Sequence, residues 1–409
     1  MNIFIEWRKI HPDSFEIVER KGLGHPDTLA DALAEHLSVK YSKYTREKFG
    51  AILHHNFDKI GLLGGATRVS FGSGEMVKPI RVLINGRAST SFAGAAIPIQ
   101  GLLIGWTRDF MLSRFPSIDS NKDLEFHFNI SNQSSPGKTH EENSQKGTRR
   151  YWFEPRGLDD LQELKKLLSN DTSLGVGHAP YSQLEKLVLE IENLLSGNEF
   201  KKSNPWIGSD IKIMATRKDQ SFDITLCIPQ IAKYVQSLEF YRENLKVAHD
   251  AIIKLASNQE IKNLDLHINT RDNFDASEIY LTAIGSSIES GDEGFVGRGN
   301  RINGLITPMR LMSMEGACGK NPVYHIGKLY YLAAQEISQK IYQSFRVINS
   351  VALVSQSGRG LLNPWIISVS LDDVEKLIDE NSIKLIVQEE IKNIPGITER
   401  ILEGKCRLY

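Results

Sequence analysis

Pairs of short strand-like runs, set apart by single long stretches of helical period, put the narrowest limit on how this chain can fold. From 28 to 44 the apolar residues Leu29, Leu33, Leu37, Tyr41 and Tyr44 recur at three- and four-residue steps. Ser182-Gln-Leu-Glu185 reads as a capping box ahead of Leu184, Leu187, Val188, Ile191 and Leu195. Leu238, Tyr241, Leu245, Ala248 and Ile252 mark a third helix, and 326–344 and 374–391 two more. Between them 80–84, 211–216, 222–228, 264–269, 279–284, 351–354 and 366–370 are alternating or β-branched and read as strands. Strict βαβα alternation is absent, so a doubly wound sheet is not expected. The expected class is α+β, with sheets covered by helices on one face.

A chain of 409 residues suffices for about two to four domains and a large core without disulfides or metals. Its formal net charge is -1, so no global field draws it to nucleic acid or to a membrane. Any anion site must then be a local cluster. Cys227, Cys318 and Cys406 lie far apart and form no CxxC or zinc spacing, which fits a reducing compartment. The start, MNIFIEWRKI, lacks a signal-peptide core, and no run nears the ~18 apolar residues of a membrane span. The expectation is a soluble, cytoplasmic protein.

Two segments carry the chemistry. In Glu19-Arg-Lys-Gly-Leu-Gly-His-Pro-Asp27, two glycines permit close backbone approach, and Pro26 and Asp27 open the 28–44 helix. A helix N-terminus offers free N–H groups and partial positive charge to an anion. His25 can donate there, and Asp27 can hold a hard cation through oxygen. An ordinary capped helix after a turn would look the same. Residues 291–304 hold five glycines, two arginines and two asparagines, a mixture that offers N–H groups and guanidinium forks to phosphate. No GxxxxGK[ST] is present and no GxGxxG opens a helix, so P-loop and Rossmann readings fail. The alternative is a glycine-rich turn with solvated arginines. In the run that follows, Lys320, His325 and Lys328 could extend a cationic wall, and Cys318 has no activating partner in sequence. Lys212 opens a strand on which it could point into a site. The combination suggests an enzyme acting on a polyphosphate nucleotide. The polar stretch 131–150 reads as a linker or a loop over that site.

Taken in order, the blocks 16–27, Ile52-Leu-His-His-Asn56, Asn170-Asp-Thr-Ser173 and 291–328 resemble the S-adenosylmethionine synthetases of the archaeal type. The resemblance implies three similar, interleaved α+β domains about a pseudo-threefold axis, with mixed or antiparallel sheets. It suggests approximate units 1–130, 151–285 and 286–409, with 131–150 as a gating loop. The implied reaction is attack of methionine sulfur on C5′ of ATP, loss of tripolyphosphate, and its cleavage to pyrophosphate and phosphate. By resemblance the catalytic set is His25, Lys212, Arg298 and Lys320, with Asp27 a magnesium ligand; potassium is left open. Glu19, Lys21, Gln133, Ser134, Asp171, Asp292, Gly299, Asn300, Arg301 and Lys328 are the implied substrate-binding residues. A homodimer or a dimer of dimers is implied, with ATP and L-methionine as partners.

The sequence departs from the family at its methionine end. The usual Gly-Gln-Gly-Ser-x-Asp loop is reduced to Gln133 and Ser134, Ala66 follows Gly64-Gly65, and His178 replaces a tyrosine. Tyr324 and Cys318 depart as well. These changes leave two alternatives open, adenosyl transfer to a different small nucleophile, or a catalytically weak regulatory or binding paralog.

Overall fold

The computed structural model describes residues 1–10, 15–133, 151–372 and 378–409. Its three main sheets repeat one topology. In the first, Leu124–Ser131 runs parallel to Ile80–Ala88, which pairs antiparallel with Gly61–Leu63, which pairs antiparallel with Glu293–Phe295. The short strand His55–Asn56 also pairs with Ile80–Ala88. The second sheet repeats the order with Asn263–Ile268, Ser221–Cys227, Lys212–Lys218 and Phe15–Lys21. The third repeats it with Ile3–Trp7, Ile366–Leu371, Asn349–Val354 and Leu174–Ala179.

The fourth strand of each sheet comes from a distant part of the chain and leads toward a helix that packs elsewhere. Phe15–Lys21 belongs to the second sheet, yet the helix it feeds, α1 (Pro26–Phe49), buries Leu29, Leu33, Leu37 and Tyr41 in the core of the first. That core is completed by Leu103, Phe110 and Met111 of α2 (Ile99–Arg114). The second sheet is covered by α3 (Gln183–Ser196) and α5 (Leu238–Asn258), with the short α4 (Asn198–Ser203) between them in sequence. The third is covered by α6 (Ile326–Phe345), α7 (Glu380–Lys392) and α8 (Ile394–Leu402). The expected α+β class with three similar interleaved units is what the chain forms. The sheets interleave across the approximate units 1–130, 151–285 and 286–409: the first two each take one strand from outside their unit, and the third takes two, Ile3–Trp7 and Leu174–Ala179.

Local chemistry explains most boundaries. Ser182 accepts from the Glu185 N–H and Glu185 accepts from the Ser182 N–H, so the expected capping box starts α3. The strand expected over 279–284 shrinks to Leu281–Thr282. Its next two N–H groups, of Ala283 and Ile284, are taken by the Glu289 carboxylate at 2.5 and 2.6 Å, so no ladder is left to extend. The helix expected from 374 starts at Glu380, where Asp379 accepts from two N–H groups; 374–377 lie outside the described residues.

Candidate functional site

The first cluster forms where the strand Phe15–Lys21 hands over to α1. Gly22 and Gly24 lie flat against the segment before Lys212. A Cβ on Gly24 would sit 2.1 Å from Ser209 Oγ, and one on Gly22 would sit 2.5 Å from Ile211 O. The strand Glu293–Phe295 crosses the start of α1 as closely, since a Cβ on Gly294 would meet Pro26 O at 1.9 Å. Three stretches far apart in sequence thus converge on one helix N-terminus, and only glycine permits the approach.

Asp27 is buried in the first turn of α1. One oxygen accepts from the Phe295 N–H at 3.0 Å and the other pairs with Lys21 Nζ at 2.8 Å. His25 is the N-cap, and its Nδ1 accepts from the Asp27 N–H at 3.2 Å. With Nδ1 accepting, the ring proton lies on Nε2. Burial drives the His25 pKa down to about 4; Asp27 and Asp292 oppose this while Lys21 and Lys212 reinforce it. His25 is therefore a neutral hydrogen-bond donor at pH 7. Lys212 lies 3.5 Å from Glu19, and its side chain is half exposed. Arg298 is exposed and forms no ion pair with any described residue, while its carbonyl accepts from Lys21 Nζ at 2.8 Å. Asp292 is exposed and accepts from Ser287 Oγ at 3.1 Å.

The second cluster forms at the start of α6. Lys320 is buried and ion-paired with Glu315, which also accepts from Ser173 Oγ at 3.0 Å. Burial pushes the Lys320 pKa down to about 8, with Lys59 and Lys328 adding to it and Asp58 and Asp171 opposing. Asn170 accepts from the Ile326 N–H and so caps α6, which places the exposed Asp171 beside this cluster. A cavity of about 480 Å³ opens here, lined by Asp171, His325, Tyr324, His54, Trp152 and Glu163 among others. His54 stacks on Trp152 with ring centres 5.5 Å apart, and Tyr324 Oη lies 2.8 Å from its Nδ1.

Two residues expected to bind phosphate are engaged otherwise. The Arg301 guanidinium donates to the carbonyls of Gly297, Gly299 and Met314 at 2.6, 2.9 and 3.3 Å, and reaches that of Ser313. It ties the glycine-rich loop to the segment before Lys320, because a guanidinium satisfies several carbonyls at once. Lys328 is fully buried, with Nζ 2.9 and 2.6 Å from the two oxygens of Glu35. Asn300 exchanges hydrogen bonds with the Lys21 backbone at 3.0 and 2.7 Å, and a Cβ on Gly299 would meet Asp31 Oδ2 at 2.3 Å. Gln133 is exposed and donates its N–H to Ser131 Oγ; Ser134 and 135–150 lie outside the described residues.

Other departures in the sequence resolve into packing. His178 lies 3.5 Å from Glu185; burial raises that carboxyl, but His178 and Arg310 outweigh it and hold the pKa at about 2. Cys318 is buried with Sγ on Leu408 O at 3.5 Å, and burial pushes its thiol pKa well up, so it is a packing residue. Asp31 and Asp210, which the sequence does not single out as site residues, hold the site loops. Asp31 accepts from the Gly297 N–H at 2.8 Å, and Asp210 accepts from the N–H and the hydroxyl of Ser287. Both lie under positions where the chain only later returns, so no local pattern marks them.

No hydrogen bond or ion pair joins the His25 cluster directly to the Lys320 cluster among the described residues; the Arg301 staple and the bonds of Glu35 and Ser38 on α1 to the Gly319–Lys320 segment connect them indirectly. Asp27 has the character of a cation ligand, for it already holds the Lys21 ammonium. A magnesium ion, which keeps several waters and takes phosphate oxygens, needs only one or two such carboxylates. The three-residue group Asp223, Asp265 and His267, whose ligand atoms lie within 4.8 Å of one another, is on the exposed face of the second sheet instead. No described helix is long and apolar enough to cross a membrane.

Comparison with known proteins bears on what these clusters serve. The family model described as S-adenosylmethionine synthetase (AdoMet synthetase) matches residues 2–146 and 155–405. The S-adenosylmethionine synthase of Natronomonas pharaonis is 36% identical over 98% of this chain and 97% of its own. That of Hyperthermus butylicus is 37% identical over 100% and 99%. Among solved structures, an unusual S-adenosylmethionine synthetase from Campylobacter jejuni aligns with a TM-score of 0.60 over 97% of this chain and 94% of its own. At 14% identity it speaks for the fold alone.

Proposed function

The chain belongs to the S-adenosylmethionine synthetase family, and from that premise we propose that it transfers the adenosyl group of ATP to the sulfur of L-methionine, displaces tripolyphosphate, and cleaves the tripolyphosphate to pyrophosphate and phosphate. The observation that carries the reading is His25 at the N-terminus of α1 with its Nδ1 accepting from Asp27 N–H, and Asp27, Lys21, Lys212 and Arg298, which has no ion pair among the described residues, around it. A leaving group that gains charge as the C5′–O bond breaks needs preorganised donors and cations, not a general base. His25 Nε2–H donates to the oxygen being released. Arg298 and Lys212 bind the phosphate chain, and Glu19 and Asp292 line the nucleoside and amino-acid end. Enzymes of this family use metal ions, and Asp27 with the phosphates would hold magnesium, which neutralises charge on the polyphosphate. The cavity beside Asp171 and Lys320 contributes the remaining wall of the site.

The test is product stoichiometry. With ATP, magnesium and methionine, S-adenosylmethionine, pyrophosphate and phosphate form in equal amounts. Pyrophosphate and phosphate without S-adenosylmethionine would move the reading to a different acceptor, and no turnover would refute an enzymatic role.

The separation of the two clusters supports a homodimer in which His25 of one copy and Lys320 of the other complete each site. Exposed apolar residues on the sheets, Phe4 on the third and Phe15 and Met214 on the second, suit burial against a second copy. Complementation tests the arrangement. His25→Ala and Lys320→Ala are each nearly inactive, but subunit exchange between them restores roughly a quarter of wild-type activity, because each mixed dimer regains one intact site of two. If both residues served one site in the same copy, every site in the mixture would carry a defect and no activity would return.

A further inference from the structure

A cavity of about 400 Å³, lined by no residue of either cluster, lies between α1, α2, α8 and the segment after α8. That volume is in the range of small-molecule sites. Its chemistry is uneven. Apolar surface comes from Val39, Phe110, Leu402 and Leu408. Cationic groups come from Lys43 and Arg114, both exposed, neither ion-paired with any described residue. Arg114 stands over the Phe110 ring, 5.3 Å from its centre.

The two glutamates in the lining are already matched. Glu35 gives both oxygens to Lys328, and Glu403 pairs with Lys405 at 2.7 Å. His36 adds a specific feature. Its ring packs at 5.4 Å from Phe110, and its Nε2 is buried with no hydrogen-bond partner among the described residues. A buried polar atom left open costs free energy unless something else satisfies it. Burial, Lys40 and Arg114 hold the His36 pKa down to about 4 against Asp109, so the ring offers a neutral hydrogen bond and no charge.

We propose that this cavity is a second ligand site, for a small organic anion with an apolar or aromatic body and a phosphate or carboxylate end. The anionic end lies on Arg114 and Lys43, where a guanidinium fork suits both groups. The body packs against Phe110 and Leu402, and a small rotation of the His36 ring brings its Nε2, closed to solvent in this structure, to the ligand for one hydrogen bond. None of these residues belongs to either site cluster, so the inference stands independently of the proposed reaction.

Phenyl phosphate is a suitable probe, followed by calorimetry on the full-length protein. It should bind saturably, and both Arg114→Glu and Lys43→Glu should weaken it by at least about tenfold. Both are exposed positions, so the variants should melt as wild type does and keep full adenosyl transfer. Lys320→Ala should leave this binding event unchanged, which separates it from capture at the phosphate-binding cluster. The proposal is overturned if no saturable binding appears below about 10 mM, if neither charge reversal weakens it, or if Lys320→Ala alone abolishes it.

Discussion

Lys320→Ala lowers kcat for adenosyl transfer by about 100- to 1000-fold, the cost of removing one preorganised donor from developing charge. The loop that presents Lys320 does not depend on its side chain. The Gly319 carbonyl accepts from the Phe57 N–H at 2.8 Å, the Gly319 N–H donates to Glu35 at 3.0 Å, and Ser38 Oγ donates to the Lys320 carbonyl at 3.1 Å. The substitution keeps all three bonds and leaves a Glu315 side chain that is 27% exposed to water, so the melting temperature should fall less than for Lys328→Met while kcat collapses. An unchanged kcat would remove Lys320 from the reaction.

The same residue predicts a pH profile. Its ammonium loses its proton as pH rises through about 8 in the free enzyme, because burial disfavours the charged form. Since kcat/KM reports ionisations of the free enzyme, it should fall on the alkaline side above about pH 8. Lys320→Arg keeps its charge throughout and should lack that limb, at lower absolute activity because the guanidinium is larger than the space beside Gly327. A profile identical in the two proteins would assign the limb to another group.

The sequence made the His25 cluster readable because its signals are local. Gly22, Gly24, His25, Pro26 and Asp27 are contiguous, and the apolar period after them announces α1. The glycine-rich segment was legible as functional but not as structure. Its residues Glu293–Phe295 form a strand in the first sheet, paired with Gly61–Leu63, which lies more than two hundred positions earlier. The roles of Arg301 and Lys328 were hidden for the same reason. A cation in a glycine-rich stretch looks like a phosphate ligand until its partners are known, and those partners are carbonyls on a returning loop and a glutamate on α1. Interleaving was equally invisible to periodicity, since a strand's pattern does not say which sheet receives it.

Lys328→Met therefore acts on stability. The substitution leaves the Glu35 carboxylate buried with the Gly319 N–H as its remaining donor. Breaking a buried pair from one side costs about 3–5 kcal/mol, because the stranded charge keeps its desolvation penalty. The urea midpoint should fall steeply. The double variant Lys328→Met with Glu35→Gln should recover much of the loss, since an amide oxygen can still accept from Gly319 without a charge to strand. If Lys328 were instead a phosphate ligand, Lys328→Met would raise KM for ATP at an unchanged midpoint, and Glu35→Gln would give no rescue. The opposite fates of two lysines eight residues apart follow from what each ammonium meets. Lys328 is closed in on a carboxylate held by the scaffold, whereas Lys320 pairs with Glu315, a partner whose side chain is still 27% exposed and, under the proposed reaction, would turn away for polyphosphate.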